Sequence, residues 1–289
     1  EDGGALVLPE APSRRDIWRL AELVMRHRVT HWLSVPALYS SLLQHAEPEQ
    51  LTSLQLAVNG GEAPPRDMIE AHFQKLPDVA FVNEYGPTEA TIWSTARYCA
   101  AKDLEVAISI GHPIDNTQIL ILDRWLRPVP VGVPGHLHIG GAGLSSGYLR
   151  RPALTAAQFI PHPVASTPGT RIYRTGDLAR FLADGRIEHL GRLDHQVKIR
   201  GYRIELEEIA RALKRHPGVS DAVALARPDV HGAMRLIGYL VPIDSAEGTR
   251  DQLSDEDLKG FLSAWLSEYM VPAHLVRLTS MPRTPNGKI

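Results

Sequence analysis

The sequence of 289 residues has one cysteine, few aromatic residues and no long apolar run. The single thiol, Cys99, cannot form an internal disulfide, so the cysteine content gives no sign of an oxidising compartment. A transmembrane helix needs about 18 consecutive apolar residues, and no such stretch is present. The net charge is −2 without a basic block, which argues against nucleic-acid or membrane partners bound through charge. We expect a cytoplasmic protein.

The first residues, EDGGALVLPE, lack the basic start and the long apolar stretch of a signal peptide. They are typical of the middle of a strand and its exit, so we expect the chain to begin partway through a larger protein. The apolar fraction of 44% and the charged fraction of 22% are ordinary for a globular protein, and the length allows two domains.

Residues 1–105 predict alternating strands and helices. A capping-box spacing at 13–16 predicts the start of the first helix, and Pro36 and Pro65 predict the starts of the next two. Strict alternation predicts a parallel sheet with helices on its faces. Ligands of such sheets bind beyond the carboxyl ends of the strands, which makes the loops 59–63 and 83–89 candidates.

The rest of the chain predicts two further regions. Residues 106–193 alternate with a period of two and predict a mostly β region, either a small barrel or a bent sheet. Residues 194–289 predict a compact α+β unit whose helices begin at Ile204 and after Ser254. The segment between these regions has no proline, so we expect a hinge near Asp194 rather than a flexible tether.

The segment NEYGPTEATIW, residues 83–93, is the most informative motif. Gly86 and Pro87 predict a tight turn directly after a strand, and this turn presents Thr88 and Glu89. A hydroxyl followed by a carboxylate suits a complex of Mg²⁺ with phosphate, and Tyr85 offers a ring face for a planar base. A structural turn with a solvated glutamate is the alternative interpretation.

Three other charged positions allow two interpretations each. Asp177, in YRTGDLAR, can hold two ribose hydroxyls or can be an ordinary turn aspartate. Arg192 can face a nucleotide beside the hinge or can belong to a salt-bridge network at a helix start. Lys288, in the turn sequence NGK, can be a catalytic cation or a solvated loop lysine.

Two other motifs do not predict sites. The segment 140–149 is rich in glycine, but no Gly-Lys-Ser/Thr follows, so it predicts close backbone approach or sheet corners rather than a phosphate loop. His136 and His138 lie on one face of a strand without a third zinc ligand nearby. We interpret them as two exposed polar positions of an alternating strand.

Taken in order, these motifs resemble the adenylation domains of nonribosomal peptide synthetases, which belong to the adenylate-forming superfamily. The resemblance covers essentially the whole chain through NEYGPTE, GHLHIGGAGLSSGYL, YRTGDLAR, GRLDHQVKIRGYRIELEEI, EYMVP and NGK. It implies an α/β fold: part of the large domain, with a parallel sheet, helices and a small β-barrel-like subdomain, in 1–193. A small α+β C-terminal domain in 194–289 would follow.

The resemblance also implies an activity in secondary-metabolite biosynthesis. ATP and an amino acid, with Mg²⁺, would give an aminoacyl adenylate, and the acyl group would pass to the phosphopantetheine thiol of a peptidyl carrier domain. A condensation domain would be a neighbour. The glycine-rich phosphate loop of the family is absent, so we expect the chain to be inactive alone.

The resemblance assigns roles to individual residues. The implied nucleotide-binding residues are Asn83, Tyr85, Gly86, Asp177 and Arg192. Tyr85 would stack on adenine, and Asp177 would hold the ribose hydroxyls. The implied catalytic residues are Thr88, Glu89 and Lys288, with Glu89 as the Mg²⁺ ligand. Lys288 would stabilise the negative charge that develops when a carboxylate attacks phosphorus. Asp194 would be the hinge, and Gly201 would lie on the loop that faces the thiol channel.

The implied substrate pocket is Ser34, Ala57, Asn59, Glu84, Ile92 and Trp93. Trp93 is bulky and should shorten the pocket, and Glu84 can pair with a basic group or point to solvent. We therefore expect a small or short polar amino acid. His136, in place of the usual glutamate, and Ser145-Ser146, in place of Ala-Arg, depart mildly from the family pattern.

Three alternatives share these motifs. The chain can be a fragment of an acyl-CoA or acyl-ACP ligase, a non-catalytic adenylation-like domain retained for packing, or a module that binds a nucleotide without chemistry. The presence of Glu89, Asp177 and Lys288 argues against a packing role, since packing requires none of these charges.

Overall fold

The computed structural model describes residues 3–10, 16–101, 108–165, 167–194, 196–229, 234–243 and 253–282. The chain divides into two compact units, Glu1–Leu193 and Asp194–Ile289. None of the described helices is long and apolar enough to cross a membrane.

The first unit contains a sheet of five strands in the order β1-β2-β3-β4-β5. Its strands are β1 (His31–Ser34), β2 (Leu56–Asn59), β3 (Ala80–Tyr85), β4 (Thr95–Cys99) and β5 (His112–Pro113). The predicted parallel arrangement is confirmed for the three predicted strands, β1, β2 and β3. The sheet also contains β4 and β5, which the sequence did not predict and which are antiparallel. The loop 86–94 is too short for the crossover that a parallel β4 would require.

Three helices cover one face of this sheet: α1 (Ile17–Arg26), α2 (Pro36–His45) and α3 (Arg66–Lys75). Their apolar sides pack on Ala57 and Phe81 in one buried cluster. The first helix is capped differently from the capping-box prediction, because Asp16 is itself the N-cap. Its carboxylate accepts hydrogen bonds from the backbone N–H groups of Trp18 and Arg19. Residues 13–15 lie outside the described part of the chain.

A second, antiparallel sheet has the order β10-β9-β7-β6, with β8 paired to β9. Its strands are β6 (Thr117–Leu122), β7 (Gly135–Gly141), β8 (Phe159–Pro161), β9 (Arg171–Phe181) and β10 (Ile187–Arg192). A short helix, α4 (Pro152–Gln158), precedes β8. In the described residues β6 and β10 remain at opposite edges, so the strands form an open sheet rather than a closed barrel.

His138 on β7 is buried, so its interpretation as an exposed position is wrong. It is 1% exposed, and four consecutive residues of the strand are buried because both faces of β7 are covered. The ring forms a hydrogen bond of 3.0 Å through Nδ1 with the backbone oxygen of His136. Within the described part of the chain, Nε2 has no partner. Burial lowers the pKa of His138 to about 4.

The second unit begins with a hairpin and continues as an α+β layer. Its elements are β11 (Gln196–Ile199), β12 (Tyr202–Glu205), α5 (Leu206–Lys214), β13 (Val219–Pro228), β14 (Met234–Pro242), α6 (Asp255–Ser263) and β15 (His274–Arg277). The predicted helix start at Ile204 is wrong, since Ile204 still belongs to β12 and the helix begins at Leu206. Ser254 is confirmed as a cap: its hydroxyl accepts from the N–H of Asp257.

Candidate functional site

The carboxylate of Asp177, in the middle of β9, is the centre of a buried polar network. It is 4% exposed. Its Oδ2 accepts a hydrogen bond from the hydroxyl of Tyr85, and its Oδ1 accepts one of 2.9 Å from Nη1 of Arg192. Nε2 of His189 lies 3.4 Å from the same Oδ1. An ordinary turn aspartate would be exposed, so that interpretation is wrong.

These partners keep the carboxylate ionised. Burial alone would raise the pKa of Asp177. The hydrogen bonds from His189 and Tyr85 and the positive charge of Arg192 outweigh burial and hold the pKa below its usual value. The site therefore offers a negative charge in a largely dehydrated place.

A bulge in β10 brings two side chains to Asp177. The register of β10 against β9 shifts between His189 and Gly191, so that Arg192 pairs directly with Asp177. Gly191 has φ 104, a conformation that favours glycine. Nη2 of Arg192 also donates to the backbone oxygen of Thr175 at 3.1 Å. Bulges are a common means of aiming side chains at functional sites.

Tyr85 reaches the site from the end of β3. Burial raises the pKa of Tyr85 well above its usual value, so its hydroxyl keeps the proton that it donates to Asp177. The Tyr85 ring lies 5.7 Å from the His189 ring between centroids. Asn83, two residues earlier on the same side of the strand, is buried and donates from Nδ2 to the backbone oxygen of Ser109 at 3.1 Å.

The loop after β3 folds tightly back on itself, and Gly86 is needed for this. A Cβ at Gly86 would lie 2.5 Å from the backbone oxygen of Ile92 and 2.6 Å from Cα of Trp93. Thr91 and Ile92 have φ 58 and φ 73, which is rare for β-branched residues and typical of functional loops. The loop contains a 3₁₀ turn, Thr88–Ala90, in which the Thr88 side chain is exposed.

Glu89 lies in the middle of this turn, and its side chain is buried. It is 8% exposed, and its Oε1 accepts a hydrogen bond of 2.6 Å from the hydroxyl of Tyr148. A solvated glutamate is therefore excluded. Sequence reasoning missed Tyr148, although it lies in the glycine-rich segment 140–149. Among the described residues, no cluster of three or more His, Cys, Asp and Glu side chains could hold a metal ion.

The glycine-rich segment packs against the same loop. Thr91 donates from Oγ1 to the backbone oxygen of Gly143 at 2.6 Å, and the N–H of Ser145 donates to the backbone oxygen of Glu89 at 2.9 Å. A Cβ at Gly143 would lie 3.0 Å from the backbone oxygen of Ala90. The prediction of close backbone approach is confirmed.

The six pocket residues do not share one face. Ala57 and Asn59 lie on the helix-covered side of β2, and Ser34 pairs with Asn59. Neither polar atom of the Asn59 side chain has a hydrogen-bond partner in the part of the chain that the structure describes. Ile92 and Trp93 are exposed.

Glu84 lies on the other side of the sheet. A Cβ at Gly60, the residue after Asn59, would lie 3.6 Å from Cβ of Glu84, and side chains of a strand alternate between its faces. Glu84 is 7% exposed, and burial raises its pKa to about 7. Of the two possibilities that the sequence left open, a side chain directed into solvent is excluded.

Three predicted residues belong to the second unit. Asp194 is exposed, and its carboxylate accepts from the N–H of Gln196 at 3.2 Å. Gly201 lies at the turn between β11 and β12, where Arg200 has φ 53 and Gly201 has φ 79. Two positive φ values in a row are typical of a tight hairpin turn. Lys288 lies outside the described residues.

Comparison with known proteins identifies relatives along the whole chain. The chain is 45% identical over 263 residues to bacitracin synthase 3 of Bacillus licheniformis, covering 91% of this chain and 4% of that protein. It is 42% identical over 292 residues to the dimodular nonribosomal peptide synthase of Bacillus subtilis strain 168, covering 99% of this chain and 12% of that protein. The chain thus spans a small part of the curated relatives it matches.

A solved structure confirms the fold. The chain superposes with a TM-score of 0.80 and 29% identity on holo-PA1221, described as a nonribosomal peptide synthetase protein containing adenylation and PCP domains, covering 99% of this chain and 46% of that one. The family model described as AMP-binding enzyme matches residues 2–149, and the AMP-binding enzyme C-terminal domain matches 208–288. The chain therefore belongs to the AMP-binding enzyme family.

Proposed function

We propose that this chain is part of an adenylation domain of a nonribosomal peptide synthetase. The domain would activate an amino acid with ATP as the aminoacyl adenylate and pass the acyl group to the phosphopantetheine thiol of a carrier domain. The observation that carries this proposal is the ionised, buried carboxylate of Asp177, held between Tyr85 and Arg192. The similarity to two peptide synthetases supports it.

The nucleotide would bind at the network around Asp177. A carboxylate accepts hydrogen bonds from neighbouring ribose hydroxyls, as acidic residues do in dinucleotide folds. Asn83 and the ring of Tyr85 would contact the adenine, and Arg192 would hold Asp177 in place. The position of Tyr85 and Asn83 at the carboxyl end of β3 supports this, because ligands of such sheets bind there.

Glu89 would hold the magnesium ion, and Thr88 would contact phosphate. Mg²⁺ keeps several waters and binds through one or two carboxylates together with substrate phosphates, so a single glutamate suits it. Bound there, the ion would offset phosphate charge. Tyr148 occupies one oxygen of Glu89 and would fix the direction of the other. Lys288 would supply positive charge where the substrate carboxylate attacks phosphorus.

The substrate amino acid would lie near the carboxyl ends of β1, β2 and β3. The pocket that we propose is Ser34, Ala57, Asn59, Glu84, Ile92 and Trp93. A buried amide without a hydrogen-bond partner, such as that of Asn59, destabilises the protein. A polar substrate would supply the missing hydrogen bonds. We propose a small or short polar amino acid.

The second unit would rotate about Asp194 between adenylate formation and transfer of the acyl group. During the transfer, Gly201 would face the phosphopantetheine thiol. The partners that we propose are the peptidyl carrier domain and a neighbouring condensation domain, and the proposed setting is the cytoplasm. The tight turn at Arg200 and Gly201 supports a defined loop at this position.

Amino-acid-dependent exchange of pyrophosphate into ATP tests the proposal. The complete adenylation domain that contains this chain is assayed with the proteinogenic amino acids, simple diamino acids and aryl and fatty acids. We expect exchange with one amino acid or a small group of them. Exchange only with an aryl or fatty acid would identify an acyl ligase instead, and nucleotide binding without any exchange would contradict the activity.

A further inference from the structure

His189 contacts two members of the network around Asp177. Its Nε2 lies 3.4 Å from Oδ1 of Asp177, and its ring is tilted by 42° against the ring of Tyr85. Its Nδ1 accepts a hydrogen bond of 3.3 Å from the backbone N–H of Gly191. A neutral imidazole has one donor and one acceptor nitrogen, so an accepting Nδ1 leaves the proton on Nε2. His189 is therefore a donor to Asp177.

The acceptor capacity of Asp177 is nearly filled. An ionised carboxylate offers about four lone-pair positions. Tyr85 occupies one on Oδ2, while Arg192 and His189 occupy two on Oδ1. About one position remains by this count, whereas two ribose hydroxyls that both donate need two. One of the three donors therefore has to break its hydrogen bond to Asp177 when a ribose binds.

The hydrogen bond from His189 to Asp177 is the easiest of the three to break. Its distance to Oδ1 is 3.4 Å, against 2.9 Å for Arg192. Arg192 is also held by the backbone oxygen of Thr175, so its guanidinium is fixed at two points. Hydrogen bonds weaken with distance beyond the usual 2.7–3.2 Å for N–H···O.

We propose that His189 is a positioning residue of the nucleotide site that exchanges its hydrogen bond between Asp177 and the ribose. Without nucleotide, its Nε2–H orients the carboxylate. With nucleotide, a ribose hydroxyl takes the released position on Oδ1, and the Nε2–H donates to the oxygen of that hydroxyl. This inference rests on the proposed role of Asp177 in ribose binding. It assigns to His189 a part of the discrimination between ribose and deoxyribose.

The bulge in β10 supports this role. Without the register shift between His189 and Gly191, residues 189 and 192 would lie on opposite faces of the strand. The shift places both side chains beside Asp177, Arg192 as the stronger hydrogen-bond donor and His189 as the weaker one. The Tyr85 ring contacts the imidazole and limits how far it can move.

Equilibrium binding of AMP, 2′-deoxy-AMP and 3′-deoxy-AMP to the complete adenylation domain tests the inference without knowledge of the amino acid. We expect His189→Phe, which keeps an aromatic ring but has no donor, to reduce the preference for AMP over one deoxynucleotide by about fivefold, the value of one neutral hydrogen bond. His189→Gln keeps a donor and should retain the preference within about twofold by the same reasoning. A merely structural change would weaken all three nucleotides equally. His274→Phe, an exposed position in the second unit, is the control.

The outcomes separate the inference from the proposed function. Unchanged preferences in His189→Phe, with normal AMP binding by the wild type, would overturn the role of His189 alone. Failure of the folded wild-type domain to bind any adenine nucleotide would overturn the proposed function. If His189→Phe does not fold, His189→Ala provides the same comparison.

Discussion

The hydroxyl of Tyr85 donates a hydrogen bond to Oδ2 of Asp177, and this contact joins the two sheets of the first unit. Tyr85 ends β3 of the first sheet, and Asp177 lies on β9 of the second. The two residues are 92 positions apart in the sequence, so the network forms only when both sheets are folded. The proposed nucleotide contacts therefore depend on tertiary structure and not on one local motif.

Glu89→Gln should abolish most of the activity while preserving the fold. The amide can still accept the hydrogen bond from Tyr148, but it removes the negative charge proposed to hold Mg²⁺. We expect kcat for pyrophosphate exchange to fall by about 100-fold or more, as for other groups that stabilise transition-state charge. Tyr148→Phe keeps the charge and loses only its orientation, so we expect a smaller loss. Full activity of Glu89→Gln at ordinary Mg²⁺ concentrations would contradict the role of Glu89.

Gly86→Ala should destabilise the loop that carries Thr88 and Glu89. Its Cβ would meet backbone atoms of Ile92 and Trp93, which cannot move as a side chain can. We expect a loss of about 1–3 kcal/mol in the free energy of unfolding, as for other overpacked sites. Gly260→Ala is the matched control, because Gly260 lies in α6 and nothing lies within 4 Å of an added Cβ. That control should be neutral or stabilising, and equal Tm values for both variants would contradict the steric argument.

His138 should make the first unit sensitive to acid. Burial lowers its pKa in the folded state to about 4, below the usual value near 6.5. Above pH 6.5 the ring is neutral in both states and has no effect on stability. As the pH falls from about 6.5 towards 4, the unfolded state takes up a proton that the folded state does not, and about 3 kcal/mol of stability is lost.

Urea unfolding of the wild type and of His138→Leu between pH 7.5 and 4.5 measures this effect. The difference in unfolding free energy between the two proteins should change with pH in the expected direction, with the wild type losing more stability in acid. A difference that does not vary with pH would show that His138 takes up its proton equally in both states.

Glu84 should influence the choice of amino acid but not the binding of ATP. Its buried carboxylate lies one residue before Tyr85 and beside Gly60. We expect the wild type to prefer a small or short polar amino acid. In Glu84→Gln, kcat/KM for this amino acid should change by about tenfold, which corresponds to about 1.4 kcal/mol, while KM for ATP stays the same. Preference for a large aromatic acid would contradict the proposed pocket.

The sequence predicts the local elements well because their signals are local. Pro36 lies in the first turn of α2 and Ser254 caps α6, as their residue types indicate. The sequence did not predict the direction of β4, because no α-helix separates β3 from β4 and the alternation of strands and helices stops at β3. The short loop between the two strands is what makes them antiparallel. Ile204 was also not predicted correctly, because its neighbours in the sequence favour a helix, whereas pairing with β11 keeps it in the strand β12.

Contacts over long distances in the sequence could not be predicted in this way. The motif residues Asp177 and Glu89 were found, but their partners His189 and Tyr148 were not. His189 reaches Asp177 only because of a bulge, and Tyr148 reaches Glu89 across 59 positions. Strand alternation predicts an exposed His138, because it does not reveal that both faces of β7 are covered.

The most direct test of the proposed adenylation activity compares the wild-type adenylation domain with Lys288→Ala in two assays. One measures amino-acid-dependent pyrophosphate exchange, and the other measures equilibrium binding of AMP. If Lys288 supplies charge at the reacting phosphorus, exchange should fall by about 100-fold or more while AMP binding is retained. Exchange at the wild-type rate in Lys288→Ala would contradict the role of Lys288, and no exchange with any amino acid in the wild type would contradict the proposed activity.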